Sequence, residues 1–214
     1  PPDYTTQVGQ GLTVMNDIIY YFPLGDPGNS TSNDRYLACA QFDLTKGAWD
    51  TTKTKQLSKL HQSGTCNVGS AAVTFNPGDG SQSQVYALCD NATWTTGDGV
   101  NWSSHGPLVP NSWNWEPMDA VVIYPPDAAP MILVVYTRTN GQYLDSGLYA
   151  AIWNGKFDSA SVVTTVQLDA SDPQTWIGAA LFLGTAQAAS PYHSGETAKP
   201  CVQLFANRPN GGGI

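Results

Sequence analysis

Short apolar stretches return about every 50 residues along the chain. Each begins with a small or acidic residue and ends on a large apolar one, and together they cover 17–22, 70–75, 119–124 and 178–183. A loop rich in Gly, Pro, Asp and Ser follows each copy, and a second apolar stretch comes next, at 36–42, 85–89, 132–136 and 201–205. Runs of β-branched and aromatic residues bounded by turn residues predict β-strands.

A glycine-containing turn follows the second strand in three of the units, with an aromatic residue just beyond it: Trp49, Trp102 and Phe157. Asp98-Gly99 in the second unit is typical of a tight hairpin turn, because both residues tolerate positive φ. The third unit has an extra apolar stretch, 148–153, before its turn. Because the aromatic recurs at one position of the repeat, we expect all three to pack between neighbouring units.

The repeat predicts an all-β fold, a single β-propeller domain of about four blades of roughly 50 residues. The approximate units are 12–66, 67–115, 116–175 and 176–214 together with 1–8. The fourth unit ends before an outer strand, so we expect an N-terminal strand at 3–8 to join the last blade and close the ring. The first strand of each unit, with its alanines, would be the inner strand at the axis. A two-sheet sandwich is the alternative fold.

Composition supports strands over helices and excludes some partners. Only 12% of the residues are charged, 11% are aromatic, and the chain has 21 Gly and 15 Pro. With nine Lys and Arg against a net charge of −8, the chain has no basic cluster to neutralise phosphates, so we expect no nucleic-acid partner. No apolar run is long enough to cross a bilayer, so we expect no membrane insertion.

Cysteines and glycosylation sequons predict a secreted, extracellular glycoprotein. Sequons begin at Asn29, Asn91 and Asn101, and the start at Pro1 leads us to expect that a signal peptide has been removed. Four cysteines without a CxxC pair favour disulfides over zinc. We expect the pairs Cys39–Cys201 and Cys66–Cys89, although four cysteines allow three pairings and the sequence does not choose among them.

The strings Gly47-Ala-Trp49, 69–75 and 84–88 resemble the repeat of fungal fucose-lectin-type β-propellers. This resemblance implies a fungal-type lectin whose partners are glycans or glycoproteins. The position of that family's sugar-binding arginine holds Gln84 or Lys199, so the resemblance does not imply fucose. Four units of this length are also similar to hemopexin-like four-bladed propellers, with Asp17 and Asp119 opening inner strands.

The segment Trp113-Asn114-Trp115-Glu116 fits no position of the repeat. Tryptophan covers the apolar face of a sugar, while amide and carboxylate groups meet its hydroxyls. We therefore predict that these four residues bind ligand, together with Asp98 and Trp102 of the preceding hairpin. The string from Asp98 to Trp102 is also similar to a shortened Asp-box, a turn that is structural in other propellers.

We expect a lectin that is not an enzyme, because the chain has two glutamates and no Gly-x-Ser-x-Gly motif. Self-association as a homo-oligomer would add avidity. The first alternative is a small secreted glycosidase using Glu116 and a nearby Asp. The second is an interaction or ligand-transport module in which Asp17 and Asp119 hold an axial calcium ion. No other cofactor is expected, since the three histidines lie far apart in the sequence.

Overall fold

The computed structural model describes residues 11–25, 36–59, 70–89, 92–106, 114–125, 127–139, 147–157, 162–169, 178–186 and 199–207. Within these ranges the chain forms fifteen β-strands in four antiparallel sheets. The described residues include no helix that is long and apolar enough to cross a membrane. The predicted all-β fold is confirmed.

The first sheet contains strands β1 to β5. Their bounds are Gly11–Met15, Ile18–Phe22, Leu24–Gly25, Tyr36–Asp43 and Ala48–Lys59. β1 pairs with β2, both β2 and β3 pair with one edge of β4, and β5 pairs with the other edge. The short β3 therefore continues the line of β2.

The other three sheets are meanders in which each strand pairs with the next along the chain. The second sheet is β6 (Ala71–Phe75), β7 (Gln84–Leu88), β8 (Thr93–Thr96) and β9 (Ser103–His105). The third is β10 (Asn114–Ile123), β11 (Met131–Thr139), β12 (Gly147–Trp153) and β13 (Val162–Asp169). The fourth, as far as the described residues show it, is β14 (Gly178–Ala186) and β15 (Lys199–Asn207).

The first strands of the four sheets lie side by side, in the order β1, β6, β10 and β14. An apolar core fills the space between each pair of successive sheets. Phe22 and Val85 belong to the core between the first and second sheets, Tyr86 and Trp153 to the next, and Leu148 and Leu181 to the third. This arrangement of sheets fits a β-propeller, while the closing strand expected at 3–8 lies outside the described residues.

The inner strand predicted at 17–22 is wrong, because the inner strand of the first sheet is β1. Asn16 and Asp17 have φ angles of 52° and 60°, the left-handed backbone of a tight hairpin turn that joins β1 to β2. A Cβ on Gly11 would lie 2.8 Å from the carbonyl carbon of Ala71. The backbones of β1 and β6 therefore touch, which requires glycine at that point.

The stretch 148–153 is also not an insertion into the third unit. It belongs to β12, the third strand of its sheet, and the second sheet has an equivalent third strand, β8, before its turn. β8 has only four residues, three Thr and one Trp, so the apolar pattern of the sequence did not reveal it.

The structure describes the side chains of two of the four cysteines, Cys39 and Cys89. Cys39 has no exposed surface, and burial raises the pKa of its thiol to about 12. Cys89 is a buried thiol whose Sγ donates a hydrogen bond to the Ala92 carbonyl at 3.2 Å. Both side chains belong to the core between the first and second sheets. Cys66 and the side chain of Cys201 lie outside the described residues, so the pairs Cys39–Cys201 and Cys66–Cys89 stay predictions.

Candidate functional site

The Asp98 carboxylate organises the turn between β8 and β9. Its Oδ1 accepts hydrogen bonds from the backbone N–H groups of Val100 and Asn101, each at 2.8 Å, and its Oδ2 accepts one from the Asn101 Nδ2 at 2.7 Å. These bonds, led by the two from backbone N–H groups, hold the Asp98 pKa well below its usual range. The turn thus occupies both oxygens of the carboxylate.

Trp102 follows this turn and packs on the neighbouring sheet. Its ring meets Phe22 edge-on, with centroids 5.8 Å apart, and lies against the core between the first and second sheets. Phe157 occupies the corresponding place after β12, where it stacks on His105 at 3.6 Å and on Tyr86 at 6.1 Å. Both aromatics pack on the preceding sheet, as the repeat predicts. The structure therefore gives Asp98 and Trp102 architectural roles, and ligand binding by these two residues stays a prediction.

Asn114, Trp115 and Glu116 are the first residues of β10. Their Cα partners on β11 are Thr139, Arg138 and Thr137, in that order. The strand then changes register between Pro117 and Asp119, and a bulge of this kind bends a strand and re-aims its side chains. Trp113 lies outside the described residues.

β10 is the longest of the four inner strands. It has ten residues, whereas β14 has nine and β1 and β6 have five each. Gly11 and Ser70 bring the starts of β1 and β6 together, since the Gly11 N–H donates to the Ser70 Oγ at 3.0 Å. Ala120 lies in the same core as Ala71. β10 begins six residues before Ala120, whereas β6 begins at Ala71 itself.

Asp119 joins the third sheet to the fourth. Its Oδ2 accepts a hydrogen bond from the Leu181 N–H on β14 at 2.7 Å, and its Oδ1 accepts one from the Ala120 N–H at 2.8 Å. Burial raises the pKa of this half-buried carboxyl, and the two hydrogen bonds oppose the rise. Sequence reasoning missed this role, although an aspartate at an inner, otherwise apolar strand position was a signal that a polar partner is present.

The expected axial calcium site is not formed by these two aspartates. Asp17 is exposed in the β1–β2 turn, where its carbonyl oxygen accepts a hydrogen bond from the Leu44 N–H at 2.9 Å. Asp119 lies within β10 and its two oxygens are used as described above. In the part of the chain that the structure describes, no three His, Cys, Asp or Glu side chains are grouped to hold a metal ion.

One of the predicted sequons lies in the described ranges. Asn101 is exposed in the Asp98 turn, with its Nδ2 donating to the Asp98 carboxylate. Asn29 and Asn91 lie outside the described residues, as do His61 and His193. His105 belongs to β9, where its Nε2 is 3.1 Å from the Thr95 Oγ1 and burial lowers its pKa.

No protein-family model matches the chain, and no curated protein matches it significantly. Among solved structures, the chain is similar to a GH62 hydrolase in complex with xylotriose, with 12% sequence identity and a TM-score of 0.47. The likeness covers 99% of this chain and 69% of the hydrolase chain. A TM-score this low identifies neither a substrate nor a catalytic residue here. Because the similar structure is a hydrolase, the prediction that the chain is not an enzyme is corrected. The resemblance to fungal fucose lectins in particular is not confirmed.

Proposed function

We propose that this protein is a secreted carbohydrate-binding β-propeller that holds a glycan at the start of β10. The observation that carries the proposal is the length of β10, which has ten residues against the five of β6. Its first residues are Asn114, Trp115 and Glu116, directly after Trp113. These four residues match no position of the sequence repeat.

Sugar binding suits the chemistry of this segment. Indole rings stack on the C–H face of a pyranose, and amide and carboxylate groups hydrogen-bond its hydroxyls. The bulge after Pro117 supports a site at this point, since bulges recur next to binding sites, where they redirect side chains. A net charge of −8 favours neutral or cationic glycans over sulfated ones.

A glycan array followed by calorimetric titration of the best ligand tests the proposal. Trp113→Ala and Trp115→Ala should each weaken binding by tenfold or more, because each removes a stacking surface. Tyr124→Ala is the matched control, since Tyr124 directly follows the other end of β10 and is 71% exposed. Binding that is equal in wild type and both tryptophan variants would exclude this site.

A glycoside hydrolase acting at the same segment is the second candidate. The observation that favours it is Asp119, a half-buried carboxyl with a raised pKa that lies three residues after Glu116 on the same strand. Glycosidases use a pair of carboxyl groups, of which the proton donor needs a raised pKa. Release of chromophore from nitrophenyl glycosides that stops in Glu116→Gln, while glycan binding persists, would establish hydrolysis. No release from any glycoside that binds would exclude it.

A further inference from the structure

Cross-strand register sorts the residues at the start of β10 onto two faces of the third sheet. Trp115 is paired with Arg138 of β11, and Glu116 is paired with Thr137. Residues paired directly across two strands lie on the same face, and successive residues of one strand lie on opposite faces. Trp115 and Arg138 therefore share one face, and Glu116 lies on the other.

The row that contains Glu116 is on the face towards the fourth sheet. Thr137 of this row is paired with Leu148 on β12, and Leu148 is paired with Asp169 on β13. Leu148 belongs to the core between the third and fourth sheets. This row thus begins and ends with an acidic residue.

The row that contains Trp115 is on the face towards the second sheet. Arg138 is two residues from Tyr136 on β11, and Tyr136 belongs to the core between the second and third sheets. On the other side of Arg138, the paired residue is Gly147 of β12, which has no side chain. The row therefore consists of one aromatic and one cationic residue.

Arg138 is the only cationic residue in the described strands of the third sheet, whose acidic residues are Glu116, Asp119 and Asp169. Glu116 and Asp169 lie on the opposite face by register. Asp119 accepts hydrogen bonds from two backbone N–H groups, those of Ala120 and Leu181. Among these strands, no carboxylate is paired across from Arg138, so the charge of this row is positive.

A sugar that carries a carboxylate matches the chemistry of this row. A planar guanidinium binds a carboxylate through two parallel hydrogen bonds, and an indole ring covers the C–H face of a pyranose. A uronic acid presents both groups on one ring. The net charge of −8 repels densely sulfated chains more than it repels a glycan with isolated carboxylates.

We propose that the row formed by Trp115 and Arg138 binds a uronic acid residue of an acidic glycan, with Arg138 holding its carboxylate. The inference rests on the proposed glycan binding at the start of β10, and it adds the class of the ligand. It assigns the charged contact with the sugar to Arg138 and not to Glu116, which the register places on the other face.

An array of uronic-acid oligosaccharides, each printed beside its neutral, carboxyl-reduced form, tests the proposal. The wild type should bind the acidic form at least tenfold more tightly, as measured by calorimetric titration of the best pair. Arg138→Gln should lose this preference and still bind the neutral form. Arg138→Lys keeps the charge but not the two parallel hydrogen bonds, so it should keep part of the preference. Lys156→Gln is the matched control, since it removes one positive charge from an exposed position after β12, and it should bind like the wild type.

The outcomes separate this inference from the proposed function. Circular dichroism and melting temperature establish that each variant is folded. A wild type that binds acidic and neutral forms equally, or that prefers sulfated oligosaccharides, overturns the inference and leaves glycan binding in place. A wild type that binds no glycan overturns both. Equal weakening of the two forms in Arg138→Gln also overturns the inference, because Arg138 then only supports the structure around Trp115.

Discussion

The carboxylate of Asp119 and the backbone N–H of Leu181 form a hydrogen bond of 2.7 Å between the third and fourth sheets. Asp119 lies in β10 and Leu181 in β14, so the bond joins two inner strands that belong to different sheets. The second oxygen accepts from the Ala120 N–H at 2.8 Å. A charged side chain at an inner position is thus satisfied by main-chain donors, which is the condition for burying it.

Replacing Asp119 with alanine should loosen the fourth sheet. The Leu181 N–H would lose its acceptor, and an unsatisfied buried donor costs about 1–3 kcal/mol. We expect the free energy of unfolding in urea to fall by that amount. Asp127→Ala, at an exposed turn, is the control and should stay within about 0.5 kcal/mol of wild type. Equal stability of Asp119→Ala and the wild type would show that water or a neighbouring group replaces the carboxylate.

The Asp98 turn should make the protein acid-sensitive. The folded-state pKa of Asp98 is lowered, so its contribution to stability is present above its unfolded pKa of about 4 and is lost as the pH falls further. The Asp98→Asn variant has no charge to lose and should show a shallower loss of stability below pH 4. The measurement is the melting temperature from pH 7 to pH 2. Parallel curves for the two proteins would contradict this account of the turn.

Two glycines with similar backbone angles separate the cost of backbone strain from that of steric overlap. Gly47 and Gly99 have φ angles of 62° and 73°, where any L-residue costs roughly 1–2 kcal/mol. A Cβ on Gly47 would meet nothing within 4 Å, whereas one on Gly99 would lie 2.5 Å from the hydroxyl oxygen of Tyr20. Gly99→Ala should therefore destabilise the protein by about 1–3 kcal/mol more than Gly47→Ala. Equal urea midpoints for the two variants would show that Tyr20 moves away freely.

The buried thiols of Cys39 and Cys89 should not react with alkylating reagents in the folded protein. After unfolding, they should react without prior treatment with a reductant. Cys39 is fully buried with a pKa of about 12, so almost no thiolate is present at pH 8. Iodoacetamide should leave Cys39 and Cys89 unmodified in native protein and alkylate both after unfolding in guanidinium alone, as peptide mass spectrometry would show. Alkylation that requires prior reduction would show that the disulfides predicted from the sequence are formed.

The sequence predicted the strand content of this protein well because that information is local. Apolar runs bounded by Gly, Pro and Asp located most strands, and the Asp98-Gly99 turn formed where its backbone preferences indicate. The recurrence of an aromatic after each turn predicted the packing of Trp102 and Phe157 on a preceding sheet. These features depend on a few consecutive residues, so a single chain shows them.

Long-range placement depended on the tertiary structure. The inner strand of the first sheet is Gly11–Met15 and not 17–22, because Gly11–Met15 is the strand whose backbone approaches β6. The Asn16-Asp17 turn separates the two strands. Cys39 and Cys89 are 50 residues apart in the sequence, yet both lie in one apolar core. The partner of Asp119 is 62 residues away along the chain. Local sequence determines the conformation that each segment prefers. The energy of a contact between residues far apart in the sequence depends on which groups lie next to each other in space, and only the assembled sheets determine this.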